Sequence, residues 1–191
     1  MTRRLIRAAV LTAGAAATAV GGYAGLVGGA LPVDIGLGRR VRRLGPRTVD
    51  IRAPRELVFE VIAQPYLGRA TRATREKVRV LERGADMVLA AHTTPLHGGR
   101  FTAVTVETVR FTRPRRVDFR LVRGPVPYVV ETFTLTERET GTRLVYQGEM
   151  GTDLWAVGAW WGAVVARRWE QTVAASLTTL GVEAERRAGP P

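Results

Sequence analysis

RTVDIRAPRELVFEVIAQP, residues Arg47 to Pro65, reads as a short strand handing over to a short amphipathic helix. Val49 and Ile51 alternate with Asp50 and Arg52, the period of a half-buried strand. Pro54 suits the first helical turn, where a missing N–H costs no hydrogen bond. Leu57, Val58, Val61 and Ile62 then recur at helical spacing with Glu60 off the stripe, and Pro65 is expected to end the helix. Tyr66 to Ala73 reads as a second short helix or a loop.

Working outward towards the C-terminus, six strand-like segments follow: Lys77–Glu82, Asp86–Thr93, Arg100–Phe111, Val117–Val122, Val129–Thr136 and Leu144–Glu149. Gly84, Pro95 with Gly98 and Gly99, Pro114, Gly124 with Pro125, and Gly141 separate them. Breakers at such short spacing predict an antiparallel meander. Asp153 suits the N-cap of a final helix of about 30 residues, or about 45 Å. Leu154, Val157, Gly158, Trp161, Val165, Trp169, Val173, Leu177 and Leu180 make its apolar stripe, with Arg167, Glu170, Gln171 and Thr178 off it. An apolar face that long needs a concave sheet to cover it. The fold class expected is therefore α+β: a curved antiparallel sheet of about seven strands around a long C-terminal helix.

Composition narrows the chemistry. The chain of 191 residues has no cysteine, which excludes disulfides, thiol nucleophiles and cysteine metal sites. Its net charge of +12 is carried almost wholly by arginine, Lys77 being the only lysine. Such a charge favours anionic surfaces. The arginines are dispersed and lack the interleaved aromatics of a base-stacking surface, so no nucleic acid partner is expected. The plainer reading is a composition bias with solvated arginines over the surface.

Upstream of the opening stretch, Ala8 to Leu31 is an uncharged run between Arg3, Arg4, Arg7 and Arg39, Arg40, Arg42, Arg43. As a helix it would span about 36 Å, enough for a hydrocarbon core of about 30 Å. An N-terminal transmembrane helix is the expectation, with a cleaved signal segment or a helix packed on the domain as alternatives. Gly21, Gly25 and Gly29 fall on one helical face, where close helix approach would permit self-association. Arginine is denser after the run, which favours a single-pass chain in the cell membrane with a cytoplasmic domain; export is the alternative. Glycine and proline at Pro32, Gly36, Gly38, Gly45 and Pro46 argue against regular structure before residue 46. The expected organisation is an anchor over 1–31, a basic linker over 32–45 and a folded domain over 46–188.

One strand, a short helix, six strands and a long last helix is the order of the helix-grip fold. APRELVFEVIAQP resembles the first strand–helix turn of the SRPBCC superfamily, also called START-like or Bet v 1-like. FTRPRRVDFRLVRGPVP, ETFTLTE and GTRLVYQGEMG resemble its central and last strands. The resemblance covers about Val49 to Ala184 and implies an internal cavity for a hydrophobic small molecule or lipid. The superfamily includes polyketide cyclases and aromatases, lipid and sterol carriers, coenzyme Q-binding proteins and an assembly factor. It has no shared catalytic triad, so no catalytic residue carries over.

Alternation predicts a cavity lined by Phe119, Val129, Glu131, Phe133 and Tyr146 from the strands and by Trp161, Val165 and Trp169 from the helix. Glu131 is the first candidate for chemistry, because a carboxyl on an apolar face is costly to ionise and can serve as acid or base. The plainer alternative puts it at the rim, paired with Arg120 or Arg123. His92 is the second candidate, a pocket residue or an ordinary loop histidine. With His97 it lacks a third ligand, so no metal site is expected, and no cofactor motif is present. The direction of Glu107 is unreadable, since both faces of its segment are mixed. Trp155 and Trp160, off the stripe, suit a cavity mouth or a membrane surface. A membrane-held carrier or binding module is the expected function. The alternatives are a cyclase- or dehydratase-like enzyme using Glu131 as acid or base, and an assembly or interaction factor.

Overall fold

The alternating segments become seven strands of one antiparallel sheet in the computed structural model, which describes residues 18, 21–28, 34–68 and 76–189. They are β1 (Arg40–Ile51), β2 (Val78–Arg83), β3 (Met87–Leu96), β4 (Phe101–Thr112), β5 (Arg116–Arg123), β6 (Tyr128–Arg138) and β7 (Gly141–Thr152). Two helices join them, α1 (Arg55–Leu67) and α2 (Trp155–Ala188). The sheet order is β1-β7-β6-β5-β4-β3-β2, so every neighbour is a sequence neighbour except β1, which closes onto the last strand. Helix α2 packs against β1, β7 and α1. The core lies between it and the concave face, built from Ile51, Val58, Phe59, Val117, Val129, Leu144, Tyr146, Val165 and Leu177.

Four local expectations are corrected. Strand β1 starts at Arg40, six residues before the expected domain start at 46. Its register shifts between Leu44 and Arg47, so Gly45 and Pro46 sit in a bulge instead of ending the strand. Helix α1 runs through Pro65 to Leu67, because proline in the last turn forfeits one hydrogen bond while burial of Tyr66 holds the turn in place. Strand β3 likewise runs through Pro95. There β2 has already stopped pairing at His92, so Pro95 lies where β3 is an edge.

The fourth correction concerns the start of α2. Asp153 does not cap it; Leu154 is the cap residue, in the left-handed region at φ 71°, without a side-chain hydrogen bond. The Asp153 carboxylate instead accepts the Ile35 and Gly36 amides at 2.8 and 2.7 Å and the Arg39 Nε–H at 2.7 Å. That staples the strip before β1 onto the helix start. Leu154 and Val157 consequently turn outward, 37% and 70% exposed, and the buried stripe starts at Gly158. A Cβ at Gly158 would lie 1.5 Å from the Asp153 carbonyl oxygen.

The expected membrane span over Ala8–Leu31 lies largely outside the described residues, as does Gly29 of the glycine row. Residues 21–27 are helical and touch the domain: Val27 is buried, and the Tyr23 ring meets Phe101 and Trp161 edge-on at 5.2 and 6.2 Å. No described helix is long and apolar enough to cross a membrane.

Candidate functional site

The inward faces of the middle strands carry the site. On β6, Val129, Glu131, Phe133 and Leu135 point one way because side chains alternate along a strand. Glu131 stands opposite Phe119 on β5 and Gly148 on β7. Gly148 has no side chain to compete for that space; a Cβ there would sit 3.0 Å from Glu131 Cγ and 2.6 Å from the Val130 carbonyl oxygen. Phe133 stands opposite Tyr146, and from α2 the Trp169 indole reaches down to the same point.

Glu131 is buried, and its Oε1 takes two hydrogen bonds, from the Tyr146 hydroxyl at 2.5 Å and from Trp169 Nε1–H at 2.6 Å. Oε2 takes none among the described residues. Burial raises the carboxyl's pKa and the neighbouring Glu107 charge adds to this. The Tyr146 and Trp169 hydrogen bonds and His92 work against it, and the net result is about 7. Near neutrality both forms are therefore populated. The neutral acid presents Oε2–H as a donor, and the carboxylate presents the same oxygen as a base. Burial and the Glu131 charge push the Tyr146 hydroxyl upward, so it stays a donor.

A second polar group stands two strands away. Glu107 on β4 is opposite Ala90 on β3 and Leu121 on β5, about 10 Å across the sheet from the Glu131 strand. It is buried and pairs with His92 Nδ1 at 3.1 Å; His92 Nε2 lies 3.2 Å from the Tyr66 hydroxyl. Burial, then the Glu107 and Glu131 charges, raise the Tyr66 pKa. With neutral His92 the network assigns Tyr66 O–H as donor to Nε2 and Nδ1–H as donor to Glu107.

Aromatic contacts connect the two groups: Tyr66 to Phe119 at 6.2 Å, Phe119 to Phe133 at 5.2 Å, and Phe133 to Tyr146 at 5.7 Å between ring centroids. Phe119, Phe133, Trp161 and Trp169 face inward yet are only half-buried, so each keeps accessible surface. A surface hollow near the β6–β7 turn, lined by Asp50, Arg52, Arg138 and Arg143, lies away from these groups, and Arg143 is paired with Asp50 at 2.7 Å.

No protein-family model matches the sequence, and no curated protein does. Solved structures do. An aromatase/cyclase from Streptomyces sp. R1128 is similar with a TM-score of 0.64 and 19% identity, over 78% of this chain and 97% of that one. Norcoclaurine synthase from Thalictrum flavum, solved with dopamine and hydroxybenzaldehyde, matches with a TM-score of 0.59 and 9% identity, over 81% and 91%. A START superfamily protein from Mycobacterium smegmatis matches with a TM-score of 0.54 and 14% identity, over 76% and 99%. All three belong to one superfamily. The fold is the helix-grip fold.

Within this helix-grip fold the eight residues expected to line the cavity all belong to the core or pack on it: Phe119, Val129, Glu131, Phe133, Tyr146, Trp161, Val165 and Trp169. Glu131 is not at the rim and pairs with neither Arg120 nor Arg123; its partners are Tyr146 and Trp169. His92 is a strand residue, not a loop residue, and joins Glu107. His97 begins the short 3-10 turn His97–Gly99. Among the described residues no three side chains converge as metal ligands.

Residue spacing left the direction of Glu107 open and gave no role to Tyr66. A bulge between β4 and β5 sets two β5 steps, Arg123 to Leu121, against one β4 step, and Val106 and Glu107 are both buried. Period-two reading fails at such a point. Tyr66 was hidden by the expectation that Pro65 ended the helix. Spacing offered one signal: Tyr66 continues the Phe59, Ile62, Ala63 face.

Proposed function

We propose that the chain binds a hydrophobic small molecule bearing a hydroxyl or carbonyl group, held in the gap between α2 and the concave sheet. The observation that carries this is Glu131. Its Oε1 is occupied by Tyr146 and Trp169, while Oε2 remains for a ligand among half-buried aromatic faces. A carboxyl this far buried is costly to ionise, and a ligand hydroxyl meeting the carboxylate, or a ligand carbonyl meeting the neutral acid, would offset the cost of burying it. The aromatic walls supply the apolar remainder of the contact. Native mass spectrometry of the full chain from cells tests this. A co-purifying apolar molecule, lost when Glu131→Gln or Phe133→Ala is introduced, is expected; a chain that neither co-purifies with nor takes up any apolar compound refutes the reading.

A second reading is favoured by the His92–Glu107 pair. A carboxyl titrating near 7, with a histidine–carboxylate pair two strands away on the same inner face of the sheet, supplies an acid and a base, the requirement for enolisation or dehydration of a carbonyl substrate long enough to span both. The sequence alone offered no such convergence and weighed towards a carrier; the pair raises the enzyme reading. Turnover that falls at least a hundredfold in both Glu131→Gln and His92→Phe, with binding retained, is its expected signature. The residues over 8–31 stay proposed as a tether to the membrane. A tethered chain would resist carbonate washing of membranes, and release by high salt would exclude it.

A further inference from the structure

We propose that the start of α2 and the stapled strip before β1 form one face that seats on an anionic phospholipid surface. Among the described residues, six of the eleven exposed large apolar side chains gather there: Ile35, Leu37, Leu154, Trp155, Val157 and Trp160, between 37% and 70% exposed. They are contiguous because the backbone joins them. The Leu154 amide donates to the Leu37 carbonyl at 2.8 Å, and the Trp155 amide to the Gly38 carbonyl at 3.0 Å. Asp153 fixes the strip from beneath through the Ile35 and Gly36 amides. Gly38 leaves room for the Trp155 ring, which a Cβ would meet at 2.3 Å. A fixed apolar patch with two exposed indoles on a water-soluble surface needs an occupant.

Charge selects the occupant. Arg40, Arg42 and Arg43 are exposed immediately beyond the strip, at the start of β1. Arg167 and Arg168 are exposed on α2, and Arg167 falls seven residues after Trp160, on the same helix face. Residues 35–49 and 154–169 contain no carboxylate. The acids that approach are largely engaged: Asp34 and Asp153 hold Arg39, and Glu170 accepts the Gly45 amide at 3.3 Å. Glu149, across from Arg43 on β7, is the exposed exception. Indoles at the centre with arginines at the margin match the interfacial zone of a bilayer, where indole is favoured and each nearby arginine gains from anionic headgroups. The neighbouring residue Trp161 faces the gap and donates to the Pro125 carbonyl at 2.8 Å, so this face adjoins one end of the gap. It stands whether or not the gap holds a ligand.

Every tryptophan of the chain lies on α2, so tryptophan emission reports on this helix and not on the residues over 8–31. The full chain is mixed with vesicles of phosphatidylcholine alone, or with about one third phosphatidylglycerol, carrying brominated acyl chains. Expected are quenching on the anionic vesicles, loss of most of it in Trp155→Ala/Trp160→Ala, and partial loss in Trp160→Ala alone, which guards against loosening of the strip by the first change. Arg42→Gln/Arg43→Gln should weaken the quenching titration at least about tenfold, as should raised salt. Unquenched native emission on anionic vesicles overturns the proposal, as does equal quenching on both compositions. A dimer abolished by the double tryptophan change, with no quenching, would assign the face to a second copy instead.

Discussion

Glu131 concentrates the residue-scale physics. Its folded pKa of about 7 lies above the ordinary 4.5, so the folded state binds the proton more tightly than the unfolded chain does. Its stabilising contribution is therefore complete below about 4.5 and is lost as pH rises through about 7, a change of about 3 kcal/mol. Glu131→Gln keeps an oxygen for Tyr146 and Trp169 but cannot ionise. Urea unfolding at pH 5 and pH 8 should show the wild-type chain losing stability across that window and the variant losing markedly less. Gly148→Ala should act on the same carboxyl by steric means. A methyl 3.0 Å from Glu131 Cγ and 2.6 Å from the Val130 oxygen must displace one of them. A loss of about 1–3 kcal/mol is expected, with a changed Trp169 emission as the readout. Glu131, Tyr146 and Trp169 were legible in the sequence because each lies where a regular period holds. Glu107 and Tyr66 were not, because a bulge and a helix continuing past proline each break the period on which such reading depends.

At the scale of elements, the start of α2 is governed by Asp153. The Arg39 guanidinium, with the Gly36 and Ile35 amides, holds its carboxyl below the usual aspartate range despite burial. Its contribution is present above the unfolded value near 3.8 and is lost as pH falls. Asp153→Ala should leave two amides and a guanidinium without their acceptor, costing about 2–4 kcal/mol. Amide exchange at Ile35 and Gly36 should accelerate well beyond that of the sheet. Local spacing assigned Asp153 the wrong task for a specific reason. Capping preference is a local rule, whereas the partners of this aspartate lie more than a hundred residues away. The same long-range contact turned Leu154 and Val157 outward, although helical spacing alone would have buried them.

For the whole molecule, the concave sheet and α2 cover one another. Val173, Leu177, Leu180 and Ala184, in the second half of the helix, belong to the core or pack on it, and the helix packs against β1 and α1. A chain ending at Trp169 should keep its strand pattern but lose the cover of that half of the core. Dye binding typical of exposed apolar surface and loss of a cooperative thermal transition are expected; a sharp transition in the shortened chain would show that the sheet closes without the helix. The order of strands and helices, the inward face of β6 and the apolar stripe of α2 from Gly158 onward follow from residue spacing, because alternation and helical period are local records of burial. Long-range packing is what joins Glu107, His92 and Tyr66 in one network, carries β1 back to Arg40 and leaves two tryptophans outside. Those outcomes depend on which strand pairs with which and on where a distant carboxylate finds its hydrogen bonds, and neither is recorded in the spacing of residues along the chain.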